Sequence, residues 1–256
     1  MDFHDAWLRR TPTELLVPEG VDVTDRFEAI RREAHARAVP LADPLRFAGL
    51  TEVARILDEV QPPDAAPEFA YAYGALVWYC FRAWAASEGP LLISERITRR
   101  LAERGPALPA APLAEAGHLQ LPRGLFWVRP DPDGPAEPVD GIYWEVRGRE
   151  VGALVASGMR EGRPGLGIVV APPLALDDAQ AAVEAGTAAA GPRFGSTLPG
   201  GEEAGLLSLD TAGDVHALLA LVHGWLHANP ESLSALLHPP SEGVPRPSRL
   251  PYRRVG

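Results

Sequence analysis

The hydrophobic period changes along this chain at a proline-rich segment, and that change restricts what the chain can fold into. Before residue 105 apolar residues recur at helical spacing; beyond about residue 118 they alternate. Phe27, Ile30, Ala34 and Ala38 follow Thr24 and Asp25, either of which can cap a helix start. Val53, Ile56, Leu57 and Val60 form an i, i+3, i+4, i+7 stripe that Pro62-Pro63 stops. Residues 67–87 carry Phe69, Tyr71, Tyr73, Trp78, Tyr79, Phe81 and Trp84, too many rings for one stripe, which predicts a helix contacted on several sides. Gly89 suits the end of that helix. Pro90 suits the start of another, running through Ile93, Ile97 and Leu101 to Gly105-Pro106.

Residues 105–117, with Pro106, Pro109 and Pro112, read as a stiff connector. The runs 125–129, 142–147, 151–155 and 166–170 then alternate with period two, and Arg147-Gly148-Arg149-Glu150 predicts a hairpin turn. The segments between these runs are too short for parallel crossovers, so they are expected to form a four-stranded antiparallel β-meander. Helices are expected over Leu176–Ala190, from Asp210 or Thr211 to Ala228, and from Pro230 to near Leu237; Gly191–Gly201 should be loop. The expected fold is α+β: a helical N-terminal half (1–104), then the meander and C-terminal helices (118–238) in one compact body with it. A Pro/Arg-rich tail (239–256) should be extended and unpacked. The aromatic helix should join Trp78 and Trp84 to Trp127 or Trp144 in one core.

Composition excludes several chemistries. All 24 basic residues are arginine, so a P-loop, a protein-kinase site and any lysine Schiff base are ruled out. The single cysteine, Cys80, supplies no disulfide, CxxC pair or four-cysteine metal site, and its aromatic neighbours predict burial. No cofactor fingerprint is present, and no cofactor is expected. Met1-Asp2-Phe3-His4-Asp5 lacks the basic and apolar run of an export signal, and the apolar stretch Phe69–Phe81 is too short for a membrane span. A bacterial-type cytoplasmic protein without membrane contact is expected. The net charge of −10 disfavours a nucleic-acid partner.

Three features could still carry function. His216, His223 and His227 fall on one helical stripe, but only His223 and His227, at i, i+4, are close enough to share a metal. His223-Gly224-Trp225-Leu226-His227 lacks the glutamate base of an HExxH zinc helix, so a metal-assisted hydrolase needs a third ligand from elsewhere, with Glu202, Glu203 or Asp214 nearest in sequence. Arg96, Arg99, Arg100 and Arg104 make a basic helix face suited to phosphates or an acidic partner, partly neutralised by Glu95 and Glu103. Arg246, Arg249, Arg253 and Arg254 face one acid, Glu242, in the tail and can dock on an acidic surface. The Gly195–Gly205 loop has the composition of a lid but no phosphate fingerprint. With no complete catalytic motif, the chain reads as a non-catalytic interaction or accessory protein. Its expected partner is another protein or a second copy of itself; the hydrolase and a nucleic-acid-associated protein are the alternatives.

Overall fold

The computed structural model describes residues 12–16, 22–60, 67–86, 90–104, 114–122, 125–129, 137–160, 163–175, 181, 184, 194–197, 203–209, 220–221, 235–238 and 252–255. It is an α+β protein. Five helices come first: α1 (Pro12–Leu15), α2 (Val23–Ala36), α3 (Pro44–Ala48), α4 (Thr51–Val60) and α5 (Pro67–Ala86). The cap of α2 is Asp22, ahead of the expected Thr24 or Asp25; its carboxylate accepts from the Thr24 N–H at 2.8 Å. Val23, Phe27, Ile30 and Ala34 form the buried face of α2, and Val53 and Ile56 that of α4.

Two charged side chains of α2 tie it to α4. Arg26, only 8% exposed, sits among the apolar positions. It donates through Nε to Glu52 at 2.9 Å and through both Nη atoms to Glu59 at 2.6 and 2.7 Å. The two-pronged contact fixes the helix pair while keeping a buried cation neutralised. Glu33 caps α4 from outside: its carboxylate accepts from the N–H groups of Thr51 at 2.8 Å and Glu52 at 3.2 Å. Burial works against that charge, but the Thr51 and Glu52 bonds and the Arg37 guanidinium pull the carboxyl down to about 2.

Rings hold α5 against these helices. Phe81 lies 5.7 Å from Phe27 and 5.2 Å from Phe47, and Trp84 lies 5.5 Å from Phe27. The chain then departs from the helix expected at Pro90. Leu91–Ile93 is a strand, β1, and helix α6 (Glu95–Arg104) starts only after Ser94, whose hydroxyl accepts from the Ile97 N–H at 3.4 Å. Three consecutive buried apolar residues suit a strand covered on both faces, which has no helical period to read.

The remaining strands are β2 (Ala116–Gln120), β3 (Trp127–Arg129), β4 (Glu137–Pro138), β5 (Gly141–Arg147), β6 (Glu150–Arg160) and β7 (Arg163–Ala175), followed by β8 (Phe194–Thr197), β9 (Glu203–Leu209), β10 (Ala235–His238) and β11 (Tyr252–Val255). A seven-stranded sheet has the order β10-β11-β1-β2-β5-β6-β7, and a four-stranded sheet the order β4-β3-β9-β8. The four-stranded meander expected from sequence is not formed. Runs 142–147, 151–155 and 166–170 fall in β5, β6 and β7, which pair antiparallel in turn, but β3 belongs to the other sheet and β2 takes its place beside β5. Alternation reports that a strand has two faces and leaves its neighbour open. The large sheet is also mixed: β1 runs parallel to both β2 and β11, with α6 in the crossover from β1 to β2.

Three further expectations are corrected. The expected loop and lid around Gly191–Gly205 contains β8 and the start of β9, paired antiparallel. The expected helix after Pro230 contains strand β10 at Ala235–His238. Tyr252–Val255, in the segment expected to stay unpacked, is extended but paired on both sides, by β10 and β1. The helices expected over 176–190 and 210–228 are described only at Ala181 and Glu184 and at Ala220 and Leu221, all helical. The Arg147–Glu150 hairpin is present, with Gly148 at φ +61° in its two-residue turn.

Tyr143, Leu154 and Ala156 on one face of the sheet join the core formed with α5. Trp144 points to the other face, where its Nε1–H donates to the Ala114 carbonyl at 3.3 Å; Trp127 is 43% exposed. Neither joins Trp78 and Trp84, because adjacent strand residues cannot face the same way and Tyr143 holds the helix side. Gly152 sets how closely α5 approaches: a Cβ there would lie 2.5 Å from the Tyr79 hydroxyl. Gly152→Ala should therefore cost about 1–3 kcal/mol by overpacking, read from denaturant midpoints. Glu33→Ala should cost about 0.5–2 kcal/mol as the loss of a cap. The carboxylate's contribution is complete above its ordinary 4.5 and disappears as pH falls toward about 2, so the variant should lack that part of the acid titration of stability.

Candidate functional site

Parallel pairing of β11 with β1 sets two arginines of the C-terminal segment beside the strand that leads into the basic helix α6. Arg253 stands opposite Leu91 and Arg254 opposite Leu92, and the Arg253 N–H donates to the Pro90 carbonyl at 3.1 Å. Beyond Ile93 the chain turns at Ser94 directly into α6, whose first turns carry Arg96, Arg99 and Arg100, all exposed. Ile97 and Thr98 are buried on the opposite side of the helix, so the outward direction of these arginines is fixed by packing. Arg99 is paired with Glu95 at 2.9 Å. Arg253 and Arg254 are half-buried in the sheet, so these two are strand residues as well as cations. The side chain of Arg104 and the whole of Arg246 and Arg249 lie outside the described residues. So do His216, His223 and His227. Among the described residues no three His, Cys, Asp or Glu side chains gather as metal ligands.

A second polar cluster is buried between α5 and the sheet. Glu145, 1% exposed, accepts from the Arg82 Nε at 3.0 Å and the Arg147 Nε at 2.7 Å. The Arg147 guanidinium lies 4.4 Å from the centre of the Trp78 ring. Two residues before Glu145 on β5, the Tyr143 hydroxyl lies 2.6 Å from Thr13 Oγ1 of α1. Cys80 is buried in the same core, and that burial pushes its thiol up to about 12, so it is held as an unreactive thiol. His118 stacks on Tyr143 with ring centres 4.3 Å apart, and burial pushes its imidazole down to about 3. A neutral buried imidazole beside a phenol could serve as a base only if a substrate reached it, and His118 is 3% exposed.

Sequence reasoning passed over His118, Gln120 and Glu145. The signal for the first two was the alternation of polar and apolar residues in Gly117-His118-Leu119-Gln120-Leu121, hidden by the proline-rich stretch before it. No family model, curated protein or solved structure matches this chain.

The His118 imidazole gives a pH test. Its folded value lies below the ordinary 6.5, so the unfolded chain takes up the proton first and acid favours unfolding. Stability should be complete above about pH 6.5 and fall by up to roughly 1.4 kcal/mol per pH unit below it. His118→Phe should flatten the profile between about pH 6.5 and 4.5, above the range where carboxylates titrate; an unchanged slope would place the acid sensitivity elsewhere.

Proposed function

We propose that this chain is a non-catalytic interaction protein that docks the basic region of α6 and β11 onto an acidic polypeptide surface, a second copy of itself included. The observation that carries this reading is the β1–β11 pairing, which sets Arg253 and Arg254 beside the strand leading into the Arg96, Arg99 and Arg100 face. Exposed arginines on a chain of net charge −10 are electrostatically complementary to the rest of its own surface. Exposed arginines present planar, multi-donor heads suited to carboxylates. The expected place of work is a bacterial cytoplasm. Among the described residues no helix is long and apolar enough to cross a membrane.

The same exposed face supports the second reading, phosphate contact with a nucleic acid, against the overall negative charge. Deleting 239–256 would not test either, because it removes a strand paired on both sides. Charge reversal at exposed positions would. Arg96→Glu with Arg100→Glu should leave the melting temperature nearly unchanged and weaken binding of labelled poly-L-glutamate by about tenfold or more at low salt. Wild-type sedimentation at low salt should show self-association that added salt and the double variant both abolish. Equal poly-L-glutamate binding by the two proteins would sink the reading. Tighter, steeply salt-dependent binding of duplex DNA would transfer the face to nucleic acid.

A further inference from the structure

We infer that His118 Nε2 and Gln120 Oε1 hold one buried water molecule between them. The inference concerns the covered face of the sheet and does not rest on the proposed docking role. Both residues lie on β2 two positions apart, so their side chains share a face. Both are buried, His118 at 3% and Gln120 at 4% exposure. His118 Nε2 and Gln120 Oε1 have no hydrogen-bond partner.

The register sets the two side chains next to each other on one face of the sheet. His118 stands opposite Tyr143, and Gln120 opposite Gly141. Yet the imidazole tip leans out of its own pair and over the next one: a Cβ on Gly141 would lie 2.4 Å from Nε2. The tip thus occupies the space above the Gln120–Gly141 pair, where glycine contributes no side chain.

The chemistry then selects the guest. Neither atom is bonded to the other, and with the ring proton on Nδ1 both Nε2 and Gln120 Oε1 can only accept. A molecule with two donor hydrogens can serve both, and water is the smallest. One neutral imidazole and one amide oxygen are too poor a donor set for a metal ion. A water donating to Nε2 also fixes the ring proton on Nδ1. The stacked Tyr143, itself bonded to Thr13, then holds the ring in that orientation.

Nuclear magnetic resonance of the full chain near neutral pH tests this. The His118 ring should be the Nδ1–H tautomer with Nε2 accepting a hydrogen bond, and a ring proton should show a cross-peak to a slowly exchanging water. Gly141→Ala should erase that cross-peak, because its methyl would push the imidazole tip out of its place beside Gln120. Folding equilibria give a second measurement should that variant not fold. His118→Phe and Gln120→Leu should each lower the folding constant, while the double variant should be about tenfold more stable than the product of the single effects predicts. An Nε2–H tautomer, a missing water cross-peak in the wild type, or single effects that simply multiply would each overturn the inference.

Discussion

The contact between α5 and the sheet depends on a carboxylate that ought to be expensive to bury. Glu145 lies under the helix almost out of reach of water, and Arg82 from the helix and Arg147 from its own strand both bond to it. Removing a charge from water costs several kcal/mol, and only close, well-directed partners offset that cost. Both guanidinium groups are therefore held in place, and Arg147 is further fixed over the Trp78 ring. An apolar interface alone would tolerate sliding of helix against sheet. The Arg82–Glu145 bond ties one point on α5 to one point on β5, with Tyr79 seated over Gly152 across the strand pair.

That anchoring explains why one face of the sheet is chemically rich yet closed. Tyr143, His118 and Gln120 share a sheet face with Glu145, Cys80 comes from α5 and Thr13 from α1, and all of them are buried. Burial raises the Cys80 thiol and lowers the His118 imidazole, which removes both from the protonation states useful for nucleophilic or acid chemistry near neutral pH. Strongly shifted groups often mark a reacting centre. Here both are buried between α5 and the sheet, and desolvation is the leading cause of both shifts.

What the sequence revealed and concealed divides along the range of the interactions involved. The α4 stripe of Val53 and Ile56, the α2 face of Phe27, Ile30 and Ala34, and the turn at Gly148 were legible because a helix face or a tight turn is specified within a few residues. Arg26 was not, since its partners Glu52 and Glu59 lie 26 and 33 positions away. Short strands failed for the same reason. Leu91–Ile93, Phe194–Thr197, Ala235–His238 and Tyr252–Val255 are three or four residues long and acquire their identity from partners elsewhere in the chain. Local propensity in so short a segment is easily overridden by tertiary pairing. The parallel β1–α6–β2 crossover was hidden most fully, because its first strand has too few residues to show a period.

The same non-local pairing changes what the arginines mean. Read along the chain, Arg96–Arg104 and Arg246–Arg254 are two separate basic stretches, one on a helix and one in a proline-rich tail. Their joint effect depends on whether they are within a Debye length, about 10 Å at moderate salt. Strands in a sheet sit roughly 4.8 Å apart, so pairing β11 with β1 holds Arg253 and Arg254 that close to the strand that feeds α6. Arg253 and Arg254, as adjacent strand residues, fall on opposite faces of the sheet, and the pairing has already ordered their backbone. A free tail would have to be immobilised at each encounter. On the proposed docking reading, the parallel strand pair would supply that ordering in advance.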